Sequence, residues 1–234
     1  MSVRVTTVMF DFDQTLGYYL PTHLELYVRA ASERGIAVTT DALAKAVDAA
    51  WGPWETEHGV DHAAHSTDEV AFNAIRAQLH VGRYEAAGVR ADAETLKAIA
   101  AELCALEGEP VHFGLYDDTV PALERVQDAG ARALIVSNHI WRLPEVIDAL
   151  GLGRLIDAVV TSARVGYRKP HPEIFRAAMK LAGGGDPASM LYVGDNYAHD
   201  VEGARAVGMQ AVLIDRAGTS GKPDAIHSLL EVPL

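Results

Sequence analysis

The stretch that decides the fold reads Val3-Arg4-Val5-Thr6-Thr7-Val8-Met9-Phe10-Asp11-Phe12-Asp13-Gln14-Thr15. Its first part, up to Phe10, is rich in β-branched and apolar residues and predicts a buried β-strand. Two carboxylates, Asp11 and Asp13, follow where that strand ends. Ligands of open α/β sheets bind beyond the carboxyl ends of the strands. The other strand ends are therefore where we expect the partners of these carboxylates.

Further strand-length apolar runs occur only late in the chain, at Ala133–Val136, Ala158–Thr161, Met190–Val193 and Ala211–Ile214. Segments with helical spacing of apolar residues separate most of them, at Pro121–Ala129, Leu143–Leu150, Glu173–Leu181 and Val201–Val207. Alternation of strand and helix predicts a parallel sheet with helices on both faces. We number the five runs, the N-terminal one included, 1 to 5 in chain order.

The segment from residue 17 to residue 112 has a different character, because it contains no convincing strand. Its apolar spacing predicts helices at Leu20–Ser32, Thr40–Trp51, Thr67–Leu79 and Ala93–Leu106. Thr39, Thr40 or Asp41 is expected to cap the second helix and Asp92 the last. We interpret this segment as a helical insertion, residues 17–112, in an α/β core made of residues 1–16 and 113–234.

Composition limits the classes of function. The chain has 234 residues, with 32 Asp and Glu against 20 Lys and Arg. This acidic balance argues against nucleic-acid binding, which needs a basic face, but allows a small phosphorylated substrate. The single cysteine, Cys104, lies among apolar neighbours, which predicts a buried thiol and a reducing, cytoplasmic location. No apolar run reaches membrane-spanning length, and the oligomeric state, monomer or homodimer, stays open.

Polar residues gather at the predicted strand ends. Ser137 and Asn138 follow the second run, and Asp195 follows the fourth, with Asp200 five residues later. Lys169 lies in the loop of residues 166–172 before a predicted helix. Together with the two carboxylates that follow the first run, four carboxylates, one hydroxyl and one ammonium group converge on one edge of the sheet.

Carboxylates this close repel one another unless a cation lies among them. All the candidate ligands are hard oxygens, so Mg²⁺ is the natural candidate. Lys169, the Ser137 hydroxyl and the cation would form a pocket for a dianionic phosphoryl group. Once its charge is screened, Asp11 can attack phosphorus. Asp13 can then protonate the leaving alkoxide and later activate water.

The sequence resembles the haloacid dehalogenase superfamily, in its phosphatase branch with a helical cap. All four motifs of that family occur in order. They are Asp11-Phe12-Asp13-Gln14-Thr15 after the first strand, Val136-Ser137-Asn138, Lys169 within Arg168-Lys169-Pro170, and Val193-Gly194-Asp195 followed by Asp200. The resemblance covers the first fifteen residues or so and everything after about Phe113. The insertion matches the family's cap by position and helical character alone.

The resemblance implies a role for each motif residue. Asp11 would form an aspartyl-phosphate, and Asp13 would serve as general acid and base while its backbone carbonyl binds Mg²⁺. Asp195 would be a further metal ligand, and Asp200 would act near the metal, directly or through water. The phosphoryl group would be held by Ser137, Asn138 through its backbone, and Lys169. The resemblance also implies a Rossmann-like core with strand order 5-4-1-2-3.

Several residues outside the four motifs remain open to more than one interpretation. Gln14 stands where glycine is commonest in the family, and its side chain is a candidate substrate contact facing the cap. Tyr18 and Tyr19 either pack between cap helices or form the wall of the substrate pocket. A zinc site at His58, His62 and His65 lacks a fourth ligand. Other expectations concern single positions: a solvated helix face for Arg76, an N-cap role for Asp200 and a loop position for Asn196.

The preferred function is Mg²⁺-dependent hydrolysis of a phosphomonoester of a small metabolite. A phosphomutase would need acid–base groups in the cap, and no motif there supplies them. A 2-haloacid dehalogenase would use the same fold, but Asp13 argues against it, because a halide leaving group needs no proton. A catalytically silent metabolite-binding protein is the alternative from another class.

Overall fold

The computed structural model describes residues 4–47, 49 and 62–234. Its strands are β1 (Thr7–Phe10), β2 (Gly17–Tyr19), β3 (Phe113–Leu115), β4 (Arg132–Ser137), β5 (Ala158–Thr161), β6 (Met190–Gly194) and β7 (Gln210–Leu213). Five of them form one sheet in the order β5-β4-β1-β6-β7, and every pairing in it is parallel. The predicted α/β class and parallel sheet are confirmed.

The order of the five runs along the sheet is the predicted 5-4-1-2-3, read from β7 to β5. The strand numbering differs because the structure contains two further short strands. The prediction of no strand in residues 17–112 is wrong, since β2 pairs antiparallel with β3 and places Tyr18 opposite Gly114. A strand of three residues carries too little periodicity to be recognised, and its partner lies almost a hundred residues away along the chain.

Strand β1 is at the centre of the sheet because it is apolar on both faces. Its residues are all buried between helical layers, as is typical of parallel sheets. Val8 and Phe10 belong to one core cluster, whereas Met9 belongs to the cluster on the opposite face. The strand therefore ends in the middle of the sheet edge and delivers Asp11 there.

The helices are α1 (His23–Ser32), α2 (Thr40–Lys45), α3 (Glu69–Ala86), α4 (Ala93–Leu106), α5 (Thr119–Asp128), α6 (Leu143–Ala149), α7 (Ser162–Val165), α8 (Pro172–Leu181) and α9 (Gly203–Ala206). A π-helix, Tyr197–Glu202, precedes α9. Short 3₁₀ turns occur at Ala63–His65, Pro110–His112, Pro187–Ser189 and Leu229–Glu231. Every predicted helix has a counterpart among these, although the second and the Val201–Val207 helix differ in extent.

Helices α1 to α4 belong to the predicted insertion and share a core of their own. That core contains Tyr27, Tyr84, Ile99 and Leu103, none more than 1% exposed. Two predicted caps are confirmed. The Thr39 side chain accepts a hydrogen bond from the backbone of α2, and Asp92 accepts one from the backbone of α4. These caps satisfy helix N–H groups that have no intrahelical partner.

The insertion contacts the core through α3 and the residues that precede it. The α3 side chains Phe72, Ile75 and Leu79 pack against Ala163 of α7. The backbone N–H of His62 donates to the carbonyl of Gly166 over 2.7 Å. His58 and the end of the predicted helix 40–51 lie outside the described residues. No helix in the described part of the chain has the length and apolar character to cross a bilayer.

Candidate active site

A pocket of about 160 Å³ lies at the carboxyl edge of the sheet, where β1, β4 and β6 end. Most of the residues predicted for the site line it, together with neighbours that the motifs did not single out. The lining residues are Asp11, Asp13, Gln14, Asn138, Arg168, Lys169, Asp195, Asn196, His199 and Asp200. The loops that carry them are far apart in sequence, so the strand ends bring these residues together.

Lys169 is almost completely buried, at 2% exposure. Its Nζ lies 2.9 Å from Asp11 Oδ1 and 2.6 Å from Asp200 Oδ1, and it donates to the Tyr192 hydroxyl over 2.9 Å. Burial disfavours the ammonium charge, but Asp11 and Asp200 outweigh it and raise the pKa of Lys169. The lysine is therefore a permanent buried cation beside Asp11.

The loop that carries Lys169 is held by the side chain of Asn138. Asn138 Oδ1 accepts from the Lys169 backbone N–H over 2.7 Å, and its Nδ2 donates to the Lys169 carbonyl over 3.0 Å. The resemblance implied a role for the Asn138 backbone only, and the structure adds this clamp by the side chain. Ser137, the last residue of β4, precedes Asn138 and is buried at 2% exposure.

Two carboxyl groups follow β6. Burial, then Asp11 and Asp200, raise the pKa of Asp195 to about 7. Burial is also the first cause that raises the pKa of Asp200, ahead of Asp11. Gly194 makes room for Asp200, since a Cβ at this glycine would overlap the Asp200 carboxylate.

The donor set fits a hard divalent cation. One oxygen each of Asp11, Asp195 and Asp200 lies within 4.8 Å of the others. Burial raises the pKa of Asp195 most, and repulsion by Asp11 and Asp200 adds to the rise; a cation among the three carboxylates would relieve that second contribution. Both oxygens of Asp200 already have partners. Its Oδ1 accepts from Lys169, and its Oδ2 accepts from the Asn196 N–H over 2.9 Å. Asp11 and Asp195 are therefore the better placed direct ligands.

The expectation that Asp200 caps a helix at Val201–Val207 is wrong. Asp200 lies inside the π-helix Tyr197–Glu202, and the residue that caps this helix is Asn196, whose side chain accepts from the His199 N–H over 2.9 Å. Asn196 itself lies in the loop before this helix, as expected, and its capping hydrogen bond is an addition to that prediction. The π-helix turns Asp200 back under the strand end, which no local sequence signal indicated.

His139 is a site neighbour that the sequence motifs did not reveal. It follows Ser137-Asn138 and is 3% exposed, with Nε2 lying 3.3 Å from Asp13 Oδ2. Its only signal in the sequence was its place two residues beyond a motif serine.

The remaining predicted contacts differ in their distance from the pocket. Gln14 lines it, has a φ of 57°, and its Oε1 accepts from the Tyr116 hydroxyl over 3.1 Å. Tyr18 and Tyr19 are not among its lining residues. Tyr18 packs on Tyr116 at a ring separation of 5.0 Å, and Tyr19 stacks on His139 at 5.9 Å. Both rings therefore pack beside the pocket, against residues of the core, and a contact of either with substrate stays a prediction.

Arg76 does not lie on a solvated helix face, and that expectation is wrong. Its side chain is 14% exposed and binds the fully buried Glu107 through Nε at 2.6 Å and Nη2 at 2.9 Å. His23 and His80 also approach this carboxylate, at 2.5 and 3.3 Å. The partner lies 31 residues away in sequence, so helical periodicity could not indicate it.

His80, Cys104 and Glu107 form a second group with metal-ligand spacing in the described part of the chain. Both oxygens of Glu107 are already bound by Arg76. Cys104 is half-buried rather than buried, and burial followed by Glu107 raises the pKa of its thiol to about 12. A protonated thiol and an occupied carboxylate are poor ligands, so we assign no metal here.

A larger cavity, of about 510 Å³, lies between α3, α4 and the segment of residues 140–142. Its lining contains Cys104, Glu69 and Arg142 among mainly small and apolar residues. The smaller pocket is the candidate active site, because it alone of the two joins the carboxylates to the buried lysine.

A family model described as haloacid dehalogenase-like hydrolase matches residues 5–208 of the chain. The chain belongs to this family. The hydrolase is 31% identical over 193 residues to human haloacid dehalogenase-like hydrolase domain-containing protein 3, a match that covers 81% of this chain and 74% of the human protein.

Two further relatives carry the name phosphatase. Phosphoserine phosphatase of Thermus thermophilus is 30% identical over 242 residues, which covers 95% of this hydrolase and 93% of the relative. The crystal structure of an HAD phosphatase from Thermococcus onnurineus superimposes with a TM-score of 0.60 at 25% identity, and covers 97% of this chain and 95% of that chain.

Proposed function

We propose that this hydrolase removes the phosphoryl group from a small phosphorylated metabolite, with Asp11 as nucleophile and Mg²⁺ as cofactor. The observation that carries the proposal is the contact between Asp11 Oδ1 and the buried ammonium of Lys169 at 2.9 Å. A fixed cation beside a nucleophilic carboxylate is the arrangement that a dianionic phosphoryl group requires. The names of two relatives as phosphatases agree with it.

The chemistry proceeds in two displacements at phosphorus. In the first, an Asp11 oxygen forms a bond to phosphorus, the bond to the leaving oxygen breaks, and the carboxyl group of Asp13 donates its proton to that oxygen. In the second, water attacks the aspartyl-phosphate, the carboxylate of Asp13 takes a proton from that water, and phosphate leaves Asp11. Lys169 and Ser137 hold the phosphoryl oxygens in both steps.

The proposed metal site consists of Asp11, Asp195 and the backbone carbonyl of Asp13. A bound Mg²⁺ would neutralise the phosphoryl oxygens and the neighbouring carboxylates. Asp200 contributes by orienting Lys169 and by reaching the ion through water, because both its oxygens are already engaged. We propose that the helical insertion, residues 17–112, is the cap that selects the leaving group.

The decisive experiment compares wild type with Asp11→Asn. This change removes the carboxylate while keeping nearly the same side-chain shape. We expect wild type to release phosphate from at least one metabolite in Mg²⁺ and the variant to lose turnover by more than about 1,000-fold, since it removes the nucleophile. Full turnover by the variant would exclude Asp11 as the nucleophile.

Binding of Mg²⁺ can be tested by a measurement that does not depend on enzyme activity. A ligand that binds only the folded protein raises its melting temperature, so Mg²⁺ at millimolar concentration should raise Tm relative to EDTA. Asp195→Asn should remove that rise, whereas Asp186→Asn, in an exposed turn distant from the site, should keep it. An equal rise in both variants would contradict the assigned ligands.

The same panel separates the alternatives. Phosphoserine heads it because of the relative's name, followed by sugar phosphates and nucleotides. An isomerised sugar phosphate with little free phosphate would favour a phosphomutase, and halide release in EDTA would favour a dehalogenase. Binding of a metabolite without turnover would favour a silent binding protein. The cytoplasmic location remains a prediction from the single cysteine.

A further inference from the structure

His139 lies in an aromatic box beside the site. Its ring stacks on Tyr19 at 5.9 Å with an interplanar angle of 8° and meets Phe12 edge-on at 5.7 Å. Phe113 closes a third side at 5.7 Å. With three aromatic neighbours and 3% exposure, the imidazole has little freedom to rotate.

The polar atoms of this ring are unusual for a buried residue. Neither Nδ1 nor Nε2 of His139 has a hydrogen-bond partner among the described residues. Leaving buried polar atoms unpaired costs about 1–3 kcal/mol, and an aromatic residue would fill the same box without that cost. The polar side chain that Nε2 approaches is Asp13, whose Oδ2 lies 3.3 Å away.

The carboxylate of Asp13 also has few partners in the described part of the structure. Its Oδ1 is buried and has no hydrogen-bond partner in the described part of the structure. A contact of 3.3 Å is at the long end for a hydrogen bond, but hydrogen bonds of catalytic groups often shorten when substrate binds. The Nε2–H tautomer of His139 can donate to Oδ2 and so set the rotation of the carboxyl group.

We propose that His139 is a positioning residue that holds Asp13 in line with the leaving oxygen, an inference that rests on the proposed phosphatase function. His139 keeps its own proton, and Asp13 alone gives one to the leaving group. Tyr19 belongs to β2, at the start of the helical insertion, and it also stacks on His23 of α1 at 4.7 Å. Through this stack, the orientation of the Asp13 carboxyl group depends on the position of the insertion.

The test uses two classes of substrate. The ratio kcat/KM reports the steps up to departure of the leaving group. An alkyl phosphate needs a proton on its leaving oxygen, whereas 4-nitrophenyl phosphate expels a stable phenolate and does not. Loss of alignment at Asp13 should therefore lower kcat/KM for the alkyl substrate and affect the aryl substrate little.

Two variants remove the donor, His139→Phe and His139→Leu, and His139→Gln keeps an N–H at a similar reach. We expect the first two to lose about 10- to 100-fold in kcat/KM for the best alkyl phosphate, part of the 10²–10⁴ that a positioned acid contributes. Their loss for 4-nitrophenyl phosphate should stay below about threefold. His139→Gln should recover most of the alkyl activity.

His80→Phe is the matched control, because His80 is equally buried, at 1% exposure, but lies in the insertion beside Glu107. It should change Tm without changing the alkyl-to-aryl ratio. Equal losses for both substrate classes in His139→Leu and His139→Phe, or a shifted ratio in His80→Phe, would overturn the proposal. Wild type that releases phosphate from neither class would instead refute the proposed function.

Discussion

At the scale of one residue, Lys169 compensates the negative charge of the site. The buried ammonium contacts two carboxylates, Asp11 and Asp200, in a pocket where their repulsion is otherwise uncompensated. Removing one partner from a buried ionic group typically costs about 3–5 kcal/mol, because the remaining charge stays desolvated. Lys169 should therefore be required for both stability and activity.

We predict that Lys169→Met lowers the free energy of unfolding by about 3–5 kcal/mol in EDTA and lowers phosphate release by more than about 100-fold. Urea unfolding and a phosphate assay measure the two effects. Lys180→Met, on the exposed end of α8, is the control and should change neither by much. Activity close to wild type in Lys169→Met would mean that another cation holds the phosphoryl group.

Gln14 is the second informative residue, since it adopts a φ of 57°. This left-handed conformation is easy for glycine and costs other residues about 1–2 kcal/mol. A strained residue that lines the pocket is a candidate substrate contact. Its side chain is held there by Tyr116, whose ring lies 3.7 Å below the Arg216 guanidinium.

We predict that Gln14→Gly raises KM several-fold for the best substrate with kcat within about twofold, as expected for a contact made equally in ground and transition states. Stability should change little, because relief of strain offsets one lost hydrogen bond of about 1 kcal/mol. Tyr116→Phe, which only removes the anchoring hydroxyl, should raise KM by less. Unchanged KM in Gln14→Gly across the substrate panel would exclude the contact.

At the scale of elements, the loop between α7 and α8 owes its position to contacts from outside it. The Asn138 side chain binds both backbone polar groups of Lys169. His62, from the insertion, donates its backbone N–H to Gly166 at the other end of the loop. The segment that follows β4 and the insertion therefore both position Lys169.

Asn138→Asp should disturb this loop, because a carboxylate oxygen would replace the Nδ2 donor opposite the Lys169 carbonyl. We predict a loss of about 1–3 kcal/mol in unfolding free energy, the cost of an unpaired buried carbonyl, and at least tenfold in kcat. Asn73→Asp on α3 is the control for the change of charge. A shift in KM alone would indicate that the loop keeps its position.

Sequence reasoning succeeded mainly where the signal was local, although the expected cap at Asp200 was an exception. The caps at Thr39 and Asp92 depend on residues three positions apart. The polar residues at the strand ends lie around one pocket, as expected. Reasoning failed where a partner was distant. Strand β2 forms by pairing with β3, and Arg76 is buried because it pairs with Glu107. The ring of His139 stacks on Tyr19 of β2, a contact that local sequence does not indicate.

For the whole molecule, the buried cluster around Glu107 joins three helices of the insertion. Glu107 directly follows α4, Arg76 and His80 belong to α3, and His23 begins α1. Burial alone would raise the pKa of Glu107, but Arg76, His80 and His23 outweigh it and hold that pKa well below its usual range. Burial lowers the pKa of His80 despite the nearby carboxylate. The cluster is therefore built on the ion pair of Glu107 and Arg76.

This cluster makes the stability of the insertion dependent on pH in a defined direction. Because the pKa of Glu107 is lower in the folded than in the unfolded state, its stabilisation is present above the unfolded value of about 4.3 and is lost as pH falls through the folded one. Arg76→Met should cost about 3–5 kcal/mol at pH 7, since the buried charge of Glu107 loses its arginine partner. That difference from wild type should shrink as pH is lowered towards about 4, where Glu107 of the variant is protonated.

Arg142→Met is the matched control, because Arg142 pairs with Glu69 at the surface, where the arginine side chain is 59% exposed. Exposed pairs contribute less than about 1 kcal/mol, so this variant should differ little from wild type at either pH. Denaturant unfolding between pH 4 and pH 8 measures both differences. A penalty for Arg76→Met that stayed constant over this range would mean that packing, rather than the ion pair, holds the three helices together.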